Sequence, residues 1–206
     1  MSRSRHSRNE ETNGRMMAEE TQGAEPVLLK TVVLVGMMGA GKTAVGRTLA
    51  AQLGVPFKDS DHEIEAAANM TIAEIFERDG EPFFRRKETQ IIDRLLDGDP
   101  CVLSTGGGAF MSAENREMIS AKGVSVWLNA DLEVLWERVR HKDTRPLLRS
   151  PDPKGTLTAL YENRVPTYAL ADVTVLSEGG RTLDAQAGVV RQALLDSRPD
   201  VLEKKT

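Results

Sequence analysis

Cysteine is nearly missing from this chain. Cys101 stands alone among 206 residues, which excludes an intramolecular disulfide or a multi-cysteine zinc site within one chain. Its place at the head of an apolar run predicts a reduced, buried core thiol. No apolar stretch approaches the ~20 residues of a membrane-spanning helix, and no apolar signal-peptide segment is present. A surplus of positive charge is missing too. The net charge is −4 with a pI near 5.5, and the Lys and Arg residues are dispersed rather than blocked, so no general attraction to nucleic acid is expected. The three histidines, His6, His62 and His141, are scattered, and none is assigned to metal or catalysis. There is no internal repeat. These absences predict a soluble cytoplasmic protein acting on small molecules.

The length and an apolar content of 40% suit one α/β domain with a tail. Residues 1–26 carry Arg3, Arg5, Arg8 and Arg15 among Ser, Asn, Glu and Gln, which predicts a disordered extension. Glu10, Glu11, Glu19 and Glu20 argue against a transit peptide. Met16 and Met17 are candidate alternative starts. From 27 to 206 strand-like and helix-like runs alternate, the pattern of βαβ units and a parallel sheet. The strands are expected at 31–35, 55–58, 101–104, 124–128 and 172–176. Thr71-Ile72-Ala73-Glu74 reads as a capping box, Gly80 as a helix stop and Pro82 as the opening of a further helix. Asp131 is expected to cap a helix whose Leu132, Leu135, Trp136 and Val139 form a core stripe.

The strongest motif is Gly36-Met37-Met38-Gly39-Ala40-Gly41-Lys42-Thr43. It follows the β-branched, apolar run Thr31–Val35 and precedes a helical stripe of Val45, Leu49 and Leu53, as a phosphate-binding loop requires. Its glycines let successive N–H groups turn inward onto phosphate oxygens. Lys42 can set a charge on the β- and γ-phosphates, the Thr43 hydroxyl can ligate Mg²⁺, and the helix start adds its dipole.

Three further strand ends carry chemistry. Asp59-Ser60-Asp61 closes the second strand, where open α/β sheets place ligands. One acid can hold a hydrated Mg²⁺ and the other can take a proton from an attacking hydroxyl; alternatively, Asp61 simply caps the next helix. Gly106-Gly107-Gly108 ends the third strand and lets a bound ring or hydroxyl lie against the main chain. In Phe84-Arg85-Arg86-Lys87-Glu88, Arg85 and Glu88 stand one turn apart and can orient each other, and Arg suits two-pronged capture of a carboxylate. Arg145-Pro146-Leu147-Leu148 reads as a mobile loop able to fold an arginine over phosphates, and Arg164 can reach the same cleft.

In this order, the motifs closely resemble those of shikimate kinases over about residues 30–195. The resemblance implies a three-layer P-loop kinase fold of the nucleoside-monophosphate-kinase type, with a five-stranded parallel sheet in the order 2-3-1-4-5 flanked by helices. It also implies ATP-dependent phosphorylation of the shikimate 3-hydroxyl, a step towards chorismate and the aromatic amino acids. By matched position, Lys42 and the amides of Gly39, Ala40, Gly41, Lys42, Thr43 and Ala44 would bind the ATP phosphates. Thr43 and Asp59 would serve Mg²⁺, and Asp61 would bind the reacting hydroxyl as its base. Arg85, Arg164 and a Gly107 amide would hold shikimate. Arg145 would be the lid arginine within a lid around 140–155, and Arg138 would lie near adenine. A monomer is the family expectation.

A gluconate kinase would share the phosphate loop but not the glycine triplet together with Phe84-Arg85 and Arg164. A nucleoside monophosphate kinase would need a base-binding acceptor site and usually a larger lid. A guanine-nucleotide switch would need Asn-Lys-x-Asp, and no Asn is followed by Lys. Asp152-Pro153-Lys154-Gly155 fits the switch pattern Asp-x-x-Gly only by coincidence.

Overall fold

Thr31–Val35 (β2) forms a strand because four of its five residues are β-branched and the fifth is leucine, and all five are buried. A strand covered on both faces can afford no polar alternation. It runs parallel to Val102–Ser104 (β4) on one side and Gly123–Asn129 (β5) on the other. Phe57–Asp59 (β3) and Val173–Leu176 (β6) complete a five-stranded sheet in the order β3-β4-β2-β5-β6. Counted within that sheet, this is 2-3-1-4-5, as expected. The computed structural model describes residues 26–141 and 150–203.

Register brings three chemically important strand ends level: Leu34 pairs with Ser104, and Ser104 pairs with Asp59. Beyond them lie the phosphate loop, the Asp59–Asp61 acids and the glycine triplet.

Helix Lys42–Leu53 (α1) buries Val45, Gly46, Leu49, Ala50 and Leu53, one stripe at three- and four-residue spacing. Gly46 allows close contact with the sheet. A Cβ there would stand 2.8 Å from the Phe57 ring and 3.0 Å from Leu34 Cδ1. Ser60–Ala68 (α2) follows β3 directly. Ile72–Leu96 (α3) begins with the capping box of Thr71 and Glu74, and breaks at Gly80, whose φ of 78° and ψ of 171° are not helical. The helix resumes through Pro82, so the break re-aims the segment bearing Phe84, Arg85 and Glu88.

Ala113–Lys122 (α4), Leu132–Val139 (α5), Pro153–Tyr168 (α6) and Leu183–Ser197 (α7) supply the remaining cover. Leu135 and Val139 of α5 are buried, with Leu132 and Trp136 packed against the core. Each fully buried leucine contributes about 2 kcal/mol of transfer free energy, so the apolar stripes dominate over helix propensity. Cys101 is a buried free thiol whose pKa burial raises.

Three local details differ from the sequence reading. The second strand spans Phe57–Asp59 rather than 55–58. Asp59, not Asp61, caps α2, accepting from the Asp61 amide at 3.1 Å; Asp61 in the first turn is thereby released from a capping role. Asp131 occupies the cap position of α5 without a side-chain cap bond. An unanticipated pair of two-residue strands, Val27–Leu28 (β1) and Leu202–Glu203 (β7), joins the ends of the domain antiparallel. Lys30 and Asp200 reinforce it at 2.9 Å. Among the described residues no helix is long and apolar enough to cross a membrane.

Candidate active site

The phosphate-loop side is built from backbone. Gly36, Gly39 and Gly41 take φ values of 136°, 83° and 96°, a region costly for any residue with a Cβ. A Cβ on Gly39 would also stand 2.7 Å from Val139 Cγ1. No side chain caps α1 and no acid occupies its first turn, whereas α2, α3 and α4 carry Asp61, Glu74 and Glu114 there. The first amides of α1 are thus left to an anion from outside. Lys42 folds back over the loop, donating to the carbonyls of Gly36 at 2.8 Å and Met37 at 3.0 Å.

Thr43 and Asp59 meet at the floor. The Thr43 hydroxyl donates to Asp59 Oδ2 at 3.2 Å and lies 3.4 Å from Ser104 Oγ. A hydroxyl and a carboxylate this close form the sparse oxygen set that fits Mg²⁺, which keeps waters and takes its other ligands from phosphates. Among the described residues no cluster of three or more His, Cys, Asp or Glu could hold a metal unaided. Phosphate loop and acids line one cleft of about 540 Å³, with Asp61, Gly106, Gly107 and Arg138 on its walls.

Asp61 is the electrostatic centre of this cleft. Its Oδ1 is enclosed and has no hydrogen-bond partner. Burial, then the nearby Asp59 charge, pushes the carboxyl up to about 6, against the pull of Lys42 and with a smaller push from Glu65. Desolvated carboxylates ionise reluctantly and accept protons well. Gly106 makes room for it, since a Cβ there would lie 2.8 Å from Asp61 Oδ1 and 3.2 Å from Glu88 Oε1. Glu88 is almost wholly buried; its Oε1 is also partnerless, and burial raises its pKa while Arg85 opposes the rise.

The far side of the glycine triplet is cationic. Arg85 Nη1 donates to Glu88 Oε2 at 2.8 Å, and Nε and Nη2 reach Glu81 Oε1 at 3.2 and 3.1 Å. Glu88 therefore anchors Arg85 from beneath. The guanidinium passes so close to Gly108 that a Cβ would lie 2.6 Å from Nη2. Arg164, from α6, donates to the Gly107 carbonyl at 3.2 Å. Asp61 and Gly107 line the phosphate-loop cleft, while Arg85 and Arg164 line an adjoining hollow of about 620 Å³. Gly106 to Gly108 form the shared wall.

Arg138 donates to the carbonyls of Gly39, Ala40 and Glu178 and to Ser177 Oγ, at 3.1–3.4 Å. Burial lowers its pKa. It ties the phosphate loop to the segment after β6, where Arg181, Leu183 and Gln186 extend the cleft. Arg145 lies outside the described residues. Ser104 and the 177–186 segment were not anticipated from sequence, because single polar residues at strand ends have no distinguishing spacing. Phe76, stacked on Phe84 at 4.7 Å between ring centroids, was likewise missed; the Gly80 break brings together two rings that a straight helix would separate.

Comparison with known proteins agrees with this geometry. The shikimate kinase family model matches residues 38–195. The shikimate kinase of Ruegeria pomeroyi is 64% identical over 186 residues, covering 90% of this chain and 95% of that protein. That of Cereibacter sphaeroides is 68% identical over 176 residues, covering 85% and 87%. The structure of Acinetobacter baumannii shikimate kinase in complex with shikimate matches with a TM-score of 0.76 at 40% identity, covering 82% of this chain and 95% of that one. By sequence over most of its length and by fold, the chain belongs to the shikimate kinase family.

Proposed function

We propose that this chain transfers the γ-phosphoryl group of ATP to the 3-hydroxyl of shikimate, with Asp61 as the base. One observation carries the assignment: an enclosed carboxylate oxygen without a partner stands between an anion-gripping loop and two arginines. A buried acceptor left empty by the protein is matched by a hydroxyl from the substrate.

The amides of Gly39 to Ala44 and the Lys42 ammonium hold the phosphates. Arg85 and Arg164 pair with the shikimate carboxylate, the ring lies against Gly106 to Gly108, and a Gly107 amide contacts the substrate. Asp61 accepts the proton as the 3-hydroxyl oxygen bonds to the γ-phosphorus. The bond from that phosphorus to the β–γ bridging oxygen breaks, and ADP departs with the electron pair. Thr43 and Asp59 would hold Mg²⁺, which supplies charge neutralisation across the phosphates. Lys42 and Arg145 stabilise charge on the transferring group, the latter from a lid around 140–155. Arg138 faces the adenine side. Alignment and fixed charge account for most of the rate enhancement in such transfers.

The catalytic domain spans 27–206, with 1–26 an extension outside it. It acts as a cytoplasmic monomer on small molecules, with no nucleic-acid or membrane partner; the acidic balance supports this reading.

Asp61→Asn tests the assignment because the amide keeps size but cannot accept the proton. Turnover should fall ~10²-fold or more while ATP affinity stays within about threefold. Near-normal turnover in a coupled ADP assay would remove Asp61 from the mechanism.

A further inference from the structure

Arg164 and Tyr168 stand four residues apart on α6, so their side chains leave the same face of the helix. They converge on one atom. The Gly107 carbonyl oxygen accepts from Arg164 Nη1 at 3.2 Å and from the Tyr168 hydroxyl at 2.5 Å. A Cβ built on Gly107 would lie 3.4 Å from Arg164 Nη1, 3.8 Å from the Tyr168 hydroxyl and 3.7 Å from the Gly36 carbonyl. That last carbonyl is one of the two to which Lys42 donates. Gly107 therefore lies between the phosphate loop and Arg164, in ordinary contact with both.

The two holders of Gly107 differ in freedom. Tyr168 is completely buried, and its ring stacks 6.1 Å from Trp127 and 6.5 Å from Phe110. Arg164 is only half-buried and sits on a long, flexible stem. Burial pushes the Tyr168 phenol up to about 12, against the pull of Arg164, so the hydroxyl remains a donor at any working pH. The Gly107 carbonyl is part-buried, and a carbonyl so placed, abandoned by its only donor, opposes the move that abandons it. With Tyr168 in place, Arg164 can turn away without leaving that acceptor unsatisfied.

We propose that Tyr168 is a positioning residue for the acceptor: by holding the Gly107 carbonyl it fixes the glycine triplet and releases Arg164 to the shikimate carboxylate. The inference rests on the acceptor-site reading above, in which Arg164 and Gly107 face shikimate.

Tyr168→Phe keeps the ring and deletes the hydroxyl. The KM for shikimate should rise roughly 3- to 10-fold, with kcat and the KM for ATP within about twofold. An unchanged shikimate KM, or equal worsening of both substrates as a merely structural role would give, overturns the inference. Arg164→Lys, measured alongside, separates it from the reading beneath. A shikimate KM raised by Arg164→Lys but not by Tyr168→Phe sinks the role of Tyr168 alone; a KM raised by neither sinks the acceptor site. Should Tyr168→Phe fail to fold, a second measurement remains, because Tyr161 and Tyr168 are the only tyrosines. 3-Fluorotyrosine incorporated into Tyr161→Phe leaves one ¹⁹F resonance, at position 168. Saturating shikimate should shift it, and an unmoved resonance overturns the inference.

Discussion

Asp61 carries a cost that the proposed role as base explains. An aspartate at the surface ionises near 3.8, but here burial first, and Asp59 second, hold it at about 6. A base must be ionised to accept a proton, so kcat/KM for shikimate should fall about tenfold per pH unit below about 6 and flatten above it. The same shift acts on stability in the opposite sense. Because the folded-state value is raised, the protonated form favours folding; that contribution is complete below about 4 and is lost as the pH rises through about 6. At pH 8 the ionised group therefore destabilises the native protein by something on the order of 1–3 kcal/mol. Asp61→Asn, neutral at every pH, should unfold several degrees higher than the parent at pH 8 and show no such gain at pH 4, in thermal melts followed by circular dichroism. An equal difference at both pH values would mean that charge burial is not the cause.

At the scale of elements, the glycine triplet matters for what it leaves out. Gly108 has ordinary helical dihedrals, φ −96° and ψ −15°, so alanine is tolerated by the backbone. Its methyl would nevertheless press on the Arg85 guanidinium, which lies 2.6–2.9 Å from the Cβ position. Gly108→Ala should therefore leave the melting temperature within about 2 °C and raise the shikimate KM several-fold, because the flexible arginine gives way rather than the fold. A lowered melting temperature with an unchanged KM would place the strain elsewhere. Elements of this kind were legible in the sequence because their chemistry forces residue type: three glycines after a buried strand, Gly-x-Gly-Lys-Thr after a β-branched run, and a capping box at Thr71. Phe57–Asp59 was misplaced because three half-buried residues show no clear alternation. That Asp59 takes the cap, and not Asp61 as the sequence alternative had it, could not be read from spacing; the hydrogen bond from the Asp61 amide shows it. Partners distant in sequence, such as Tyr168 and Gly107, left no local signal.

At the scale of the whole molecule, the domain closes on itself at the end of its chain. The Leu29 amide donates to the Val201 carbonyl at 2.7 Å, Leu28 is buried, and Arg198 pairs with both Asp172 and Asp200. Deleting residues 1–26 should leave activity and melting temperature unchanged, whereas deleting 1–30 removes β1 and Lys30 and should lower the melting temperature by several degrees, since losing one buried leucine alone costs about 2 kcal/mol. Loss of turnover in a folded 27–206 protein would contradict the proposed domain boundary. That two-stranded closure was invisible in the sequence, because two residues per strand cannot display a period. The alternation of strands and helices, by contrast, announced the parallel sheet that brings donor loop, acid and arginines to one edge. The central claim is that this edge is a two-substrate site selective for shikimate. It is tested most directly by ADP formation from ATP against shikimate, gluconate and the nucleoside monophosphates, with the product read by ³¹P NMR. Shikimate alone should support turnover and yield a phosphate ester at its 3-hydroxyl; ADP release with gluconate or a nucleotide at a comparable rate, or none with shikimate, would contradict it.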